Sequence, residues 1–188
     1  MIKDENENEA KEKKKSNVIR EILIYCILLF VCVWIIPKYV IQHTIVDGPS
    51  MESTLFDHEH ILVEKISYHF DQLDRFDIIA FYPYGKDKDD YYIKRIIGMP
   101  YETVQIKGSD IYINGEILNE RYGKDPISYA GIASEPITLG EDEYFVLGDN
   151  RTVSADSRME EIGVVKKKQI GGKAILRLWP LKQFGTID

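Results

Sequence analysis

The chain has 188 residues and a formal net charge of −7, which leaves room for one domain of ordinary size plus an appendage. No basic stripe stands outside short lysine runs, and this argues against nucleic acid as the main partner. The two cysteines, Cys26 and Cys32, both fall in one apolar stretch, so the remainder has no disulfide framework and must be held by its own core.

Residues 1–17 are charged and almost free of apolar side chains, with Glu5, Glu7 and Glu9 giving way to Lys11, Lys13, Lys14 and Lys15. Such a composition cannot bury a core, and a disordered arm is expected. Ile22 to Ile36 carries no charge. That run is shorter than the roughly 20 residues needed to span a bilayer, but extension to residues 18–41 gives the length. Arg20, Glu21 and Lys38 then lie near the ends, and Tyr25, Trp34 and Tyr39 suit the two interfaces. A cleaved signal peptide would need small residues at a cleavage site soon after the apolar run. Pro37-Lys38-Tyr39-Val40-Ile41-Gln42 follows instead, with no Ala-x-Ala pattern, so an uncleaved anchor in membrane lipid is expected. Lys11, Lys13, Lys14, Lys15 and Arg20 precede the segment, whereas Lys38 is alone after it until Lys65. This asymmetry predicts a cytoplasmic N-terminus and an external domain over residues 42–188.

Beyond the anchor the chain reads as β. Ile61 to Lys65 and Asp77 to Tyr82 are short strand candidates, and an acidic loop over residues 85–90 precedes a third around Lys94. Thr103 to Ile106, Ile111 to Ile113 and Glu116 to Leu118 alternate, and Asn114-Gly115 between the last two is a hairpin signal. Residues 119–142, rich in Gly, Pro and charge, read as a loop, so that 103–143 forms a small hairpin and loop insertion. Tyr144 to Leu147 and Gly172 to Trp179 complete the set, the latter stopped by Pro180. Many short strands without helical crossovers imply a mainly β, antiparallel, barrel-like domain.

Three stretches carry candidate chemistry. Ser50, in Gly48-Pro49-Ser50-Met51, is a candidate nucleophile, and a serine needs a base. The four histidines, His43, His58, His60 and His69, form no recognisable motif. Lys94 is a better base, because it lies between Tyr92-Ile93 and Ile96-Ile97. Lysine serves as a base near neutral pH only where burial lowers its pKa. Each residue also has an ordinary reading: Gly-Pro-Ser is commonly a turn, and a strand lysine commonly snorkels to the surface. The third stretch runs from Gly148-Asp149-Asn150-Arg151 to Ser154-Ala155-Asp156-Ser157-Arg158, directly after an apolar run. It suits a solvated loop, and equally a group of hydroxyls and ion pairs that orient a buried amine.

Together these stretches resemble the type I signal peptidases, membrane-bound serine proteases with a Ser/Lys dyad. The resemblance rests on Ser50-Met51 with Thr54-Leu55, on Lys94-Arg95-Ile96-Ile97-Gly98-Met99-Pro100, and on the third stretch, in the family's order behind an anchor. It implies that Ser50 attacks a peptide carbonyl, Lys94 takes and returns the proton, and an acyl-enzyme is hydrolysed. It further implies that Ser154 hydrogen-bonds the lysine amine, that Asp156 and Arg158 form a structural ion pair, and that Asp149 supports the site. The Ser50 N–H would bind the oxyanion. Gly48 stands where Gram-negative members place a serine hydroxyl, as in Gram-positive members. Pocket positions carried over are Val46, Met51, Leu55, Tyr92 and Ile93, and each also suits plain core packing. The implied partner is the signal peptide of an exported preprotein with an Ala-x-Ala site, and no cofactor or metal is expected.

Departures from the family pattern are Ser53 for proline, Phe76 and Tyr101 for glycine, Glu102 for aspartate, and Thr152-Val153 for polar residues. They read as changes in turn geometry. Two other classes compete: a catalytically silent anchored homologue acting as a binding module, and a self-cleaving repressor-type Ser/Lys protease. The latter carries a DNA-binding domain where this chain has an anchor.

Overall fold

The computed structural model describes residues 17–70, 73–86, 88 and 90–187. The expected arm therefore lies outside the described residues, except for Asn17, which is already helical. The chain divides into two compact units, Met1–Val40 and Ile41–Asp188.

In the first unit an apolar helix covers Asn17–Ile35. At about 1.5 Å per residue it is about 28 Å long, close to the thickness of a bilayer's hydrocarbon core. Its side chains are exposed on all sides, Leu29 at 65% and Trp34 at 67% among them. A helix that is apolar all round and unburied fits an apolar solvent rather than water. One further helical turn, Ile36–Tyr39, carries Pro37 near its start, where the missing N–H is tolerated. The helix therefore stops at Tyr39. Ile41, expected at the end of the anchor, instead opens a strand and pairs with Glu64.

The second unit is mainly β. Its principal sheet contains β1 (Ile41–Ile45), β2 (His60–Glu64), β3 (Ile78–Phe81), β4 (Tyr92–Gly98), β9 (Glu143–Leu147), β10 (Val165–Lys166), β11 (Ile170–Trp179) and β12 (Gly185–Thr186). The order is β1-β2-β11-β3-β4-β9-β10, with β12 beside β11, and the path does not close, so the sheet is an open half-barrel. A smaller sheet, in the order β7-β6-β5-β8, is built from β5 (Thr103–Lys107), β6 (Asp110–Ile113), β7 (Glu116–Ile117) and β8 (Ile137–Thr138). Every pairing in both sheets is antiparallel. Asn114 and Gly115 both take positive φ between β6 and β7, the conformation a tight two-residue hairpin requires.

Side-chain alternation explains how the sheet is covered on both faces. In β3, Ile78 and Ala80 join a cluster with Val46, Met51, Leu55, Ile61 and Ile93. Ile79 and Phe81 point the other way, to Tyr68, Leu73, Ile96, Tyr144 and Val146. In β9, Tyr144 and Val146 share that second cluster, whereas Phe145 and Leu147 enter a third with Ile97, Val104, Ile106 and Ile113. β9 thus ties the small sheet to the principal one.

Two of the departures now have a physical account. Phe76 and Tyr101, where the family pattern has glycine, sit at φ +76° and +68°. The turns keep the left-handed backbone that glycine favours, and a side-chain-bearing residue holds it at a cost of about 1–2 kcal/mol. Phe76 recovers part of this by packing on Tyr122, ring centroids 5.0 Å apart. Tyr101 is 68% exposed. Tyr101→Gly is therefore expected to stabilise the domain by about 0.5–1 kcal/mol, after allowance for glycine's extra freedom in the unfolded chain. A urea unfolding midpoint at or below that of the wild type would remove the strain argument.

Candidate active site

Ser50 is placed by the end of the β1–β2 ladder. That ladder continues past Ile45: the Val46 N–H donates to the Glu59 carbonyl at 2.8 Å, and the His58 N–H to the Val46 carbonyl at 2.9 Å. The chain then leaves the sheet at Gly48, φ +83°, whose N–H donates to Asp57 Oδ1 at 2.8 Å. A turn follows, closed by the Leu55 N–H on the Met51 carbonyl at 2.8 Å. Met51 and Leu55 are both buried and fix this turn to the core, so Ser50 is held at its start.

Lys94 lies on β4, which pairs with β3 along Tyr92 to Arg95 and with β9 only from Arg95 onward. Its Nζ lies 2.8 Å from Ser50 Oγ and donates to the Ile93 carbonyl at 2.9 Å. The Tyr92 ring lies 5.5 Å from Nζ. The lysine is only 3% exposed. Burial lowers its pKa to about 8, against the opposing pull of Asp156 and Asp149. A lysine with an ordinary pKa would be almost wholly protonated at neutral pH, whereas this one is near its midpoint at mildly alkaline pH.

The third stretch wraps the pair from behind. The Asn150 N–H donates to the Ser50 carbonyl at 3.1 Å. Ser154 is 4% exposed, and its hydroxyl has no hydrogen-bond partner among the described residues. The bond to Lys94 implied by the resemblance is not made in this structure. The hydroxyl packs against Gly148 instead, where any Cβ would collide with it and with the Ser50 carbonyl. The lysine amine takes the Ile93 carbonyl in its place.

Two buried ion pairs brace this loop. Arg158 Nε and Nη2 donate to the two oxygens of Asp156, each at 2.8 Å, and Asp156 Oδ2 accepts from the Gly148 N–H at 3.1 Å. Asp149 receives Arg95 Nε at 2.9 Å and Nη2 at 2.8 Å, with both side chains wholly buried. Thr54 Oγ1 donates to the same carboxylate at 2.5 Å, and Arg95 Nη1 donates to the Phe76 carbonyl at 2.8 Å. Arg95 and Thr54 stand in the motifs, and the resemblance assigns them no role. The available signal was an arginine in the middle of an apolar strand, which demands a buried carboxylate.

A cleft of about 710 Å³ opens over Ser50 and Lys94, and Val46, Met51, Tyr92 and Ile93 line it beside them. Leu55, expected in the same pocket, does not reach the cleft: it is fully buried in the core beneath. Asp47, Asp90, Val153 and Ala155 are also among its lining residues.

A serine hydroxyl against a buried amine beneath an open cleft suits a serine peptidase. The family described as signal peptidase, peptidase S26, matches residues 18–179, and the chain belongs to it. Signal peptidase I P of Bacillus subtilis subsp. natto is 35% identical over 183 residues, 92% of this chain and 95% of that protein. Signal peptidase I of Leptolyngbya laminosa is 38% identical over 158 residues, 81% of this chain and 75% of that one. Among solved structures, a signal peptidase I from Enterococcus faecalis V583 is 34% identical and aligns with a TM-score of 0.45, over 55% of this chain and 97% of that one.

Proposed function

We propose that this chain is a membrane-anchored signal peptidase I that cleaves signal peptides from exported preproteins with a Ser50/Lys94 dyad. The observation that carries the reading is the buried Lys94 amine 2.8 Å from Ser50 Oγ beneath an open cleft. In the active form the amine is neutral and accepts the Ser50 proton as Oγ attacks the scissile carbonyl. The resulting ammonium protonates the leaving amine, and the neutral lysine then activates the water that releases the new C-terminus. The Ser50 N–H is the candidate oxyanion donor, because it is fixed beside the nucleophile by the turn that Met51 and Leu55 anchor.

Substrate recognition follows from the strand edges. The β4–β9 ladder begins only at Arg95, so Tyr92 and Ile93 face the cleft with that edge open. An extended peptide fits there as an added strand, with its backbone paired and alternate side chains turned into the walls. Val46, Met51 and Ile93 make those walls apolar, which suits small apolar side chains such as alanine at the first and third positions before the cut. The lysine-rich arm before the helix supports a cytoplasmic N-terminus and an external catalytic unit. The intact pairing of Ser50 with Lys94 speaks against a silent homologue.

The test is cleavage of a preprotein with an Ala-x-Ala site by the full chain in detergent. Wild type should release the mature protein, and Ser50→Ala should lower the rate by at least about a thousandfold. Equal cleavage by the two would refute the assignment of the nucleophile.

A further inference from the structure

The segment between the small sheet and the catalytic loops is outwardly unremarkable, mostly exposed from Asn119 to Pro126. Two of its side chains turn inward. Glu120 meets Arg151 at 2.7 Å, and Arg151 Nε donates to the Gly148 carbonyl at 3.0 Å. Tyr122 lays its ring over the Arg95 guanidinium, 3.7 Å from Cζ to the ring centroid. The Lys124 N–H donates to the Asp149 carbonyl at 2.8 Å, while Lys124 Nζ reaches Glu52, two residues past the nucleophile, at 2.8 Å. Within five residues the segment therefore touches all three catalytic stretches.

We propose that residues 120–124 form a strap that positions the dyad from outside, with Tyr122 as its principal positioning residue, acting through Arg95 and Asp149. The proposal rests on the Ser50/Lys94 reading and adds to it. Arg95 spends its edge on Asp149, Thr54 and Phe76, which leaves its face to be covered. An aromatic ring on that face attracts the cation and excludes water, so the fork can meet Asp149 in only one plane. Without the ring, the guanidinium can tilt away from the carboxylate. The carboxylates whose charge acts on Lys94 are Asp149 and Asp156, each carrying its own arginine. A less neutralised Asp149 favours the ammonium, so the base would be harder to deprotonate. Tyr122 does not line the cleft, and substrate affinity should not follow.

The experiment compares Tyr122→Leu, Tyr122→Met and Tyr122→Phe in the full chain, using preprotein cleavage across a pH range. The leucine and methionine variants are expected to lower kcat about three- to thirtyfold with KM unchanged. The acid limb of kcat/KM should move to higher pH, with part of the loss recovered well above it. Tyr122→Phe, which keeps the ring, should match the wild type. A wild-type kcat and pH profile in folded Tyr122→Leu would overturn the proposal, as would a Tyr122→Phe variant as poor as Tyr122→Leu. If neither the leucine nor the methionine variant folds while Tyr122→Phe does, the ring is a stability element and the positioning role is refuted. Failure of the dyad itself would show differently, as cleavage that survives Lys94→Arg in the otherwise wild-type chain.

Discussion

Arg95→Met is expected to cost the catalytic unit about 3–5 kcal/mol, a large part of the 5–15 kcal/mol typical of a folded domain. The methionine fills much of the volume but leaves the Asp149 carboxylate buried with Thr54 as its remaining side-chain donor. A buried ion pair is expensive to form, and removing one partner leaves the cost of the other uncompensated. The double variant Arg95→Met, Asp149→Leu removes both charges and should recover most of the stability while still lacking activity. Urea unfolding of the two variants measures the difference. Equal destabilisation in both would mean that the pair's charges do not set the cost. The contrast with Lys124 and Glu52 is one of burial: that pair lies at the surface, its lysine side chain is 41% exposed, and solvent screens it.

The same pair shows where the sequence stops being legible. Arg95 stands beside Lys94, and Asp149 is itself implied as a support of the site, but the two are separated by 54 positions. No local pattern reveals that they face each other; only the β4–β9 pairing of Arg95 with Leu147 brings them together. Strands beside a turn signal were readable, as the hairpin at Asn114-Gly115 was, and so was the continuous apolar run Tyr144 to Leu147 ahead of Gly148. β1 was not, because Ile41 ends the apolar stretch of the anchor and Gln42-His43-Thr44 after it show no apolar alternation. β8, β10 and β12 have two residues each, too few to show a period.

Within the site, residue type was legible and direction was not. Ser154 is close and buried as its motif implies, but its hydroxyl lies against Gly148 rather than the amine, a matter of rotamer and backbone course. Met51 and Leu55 lie in one turn and are both buried, and only the first reaches the cleft. Phe76 and Tyr101 show the converse, where the backbone demand persisted although the residue that meets it most easily had been replaced.

Lys94→Arg should abolish cleavage, with a loss of at least about a thousandfold, in a chain that remains positively charged at that position. Arginine cannot give up its proton in the working range, so Ser50 would face a permanent cation with no base. In the wild type, kcat/KM should rise about tenfold per pH unit below a limb near 8 and level off above it, because only the neutral amine can accept the Ser50 proton. Stability should follow a different part of the scale. The folded pKa lies below the unfolded one, so above about 8 the folded lysine has lost a proton that the unfolded chain still binds. Stability then rises with pH until about 10.5, where both states are neutral, and the gain approaches about 3 kcal/mol. Below about 8 both states carry the charge, and the burial penalty is constant. Lys94→Met, which has no charge to bury, should remove this alkaline rise while eliminating activity. Unfolding midpoints of wild type and Lys94→Met that run parallel from pH 7 to 10 would show that Lys94 does not carry the depressed pKa. Cleavage by Lys94→Arg at the wild-type rate would show that it is not the base.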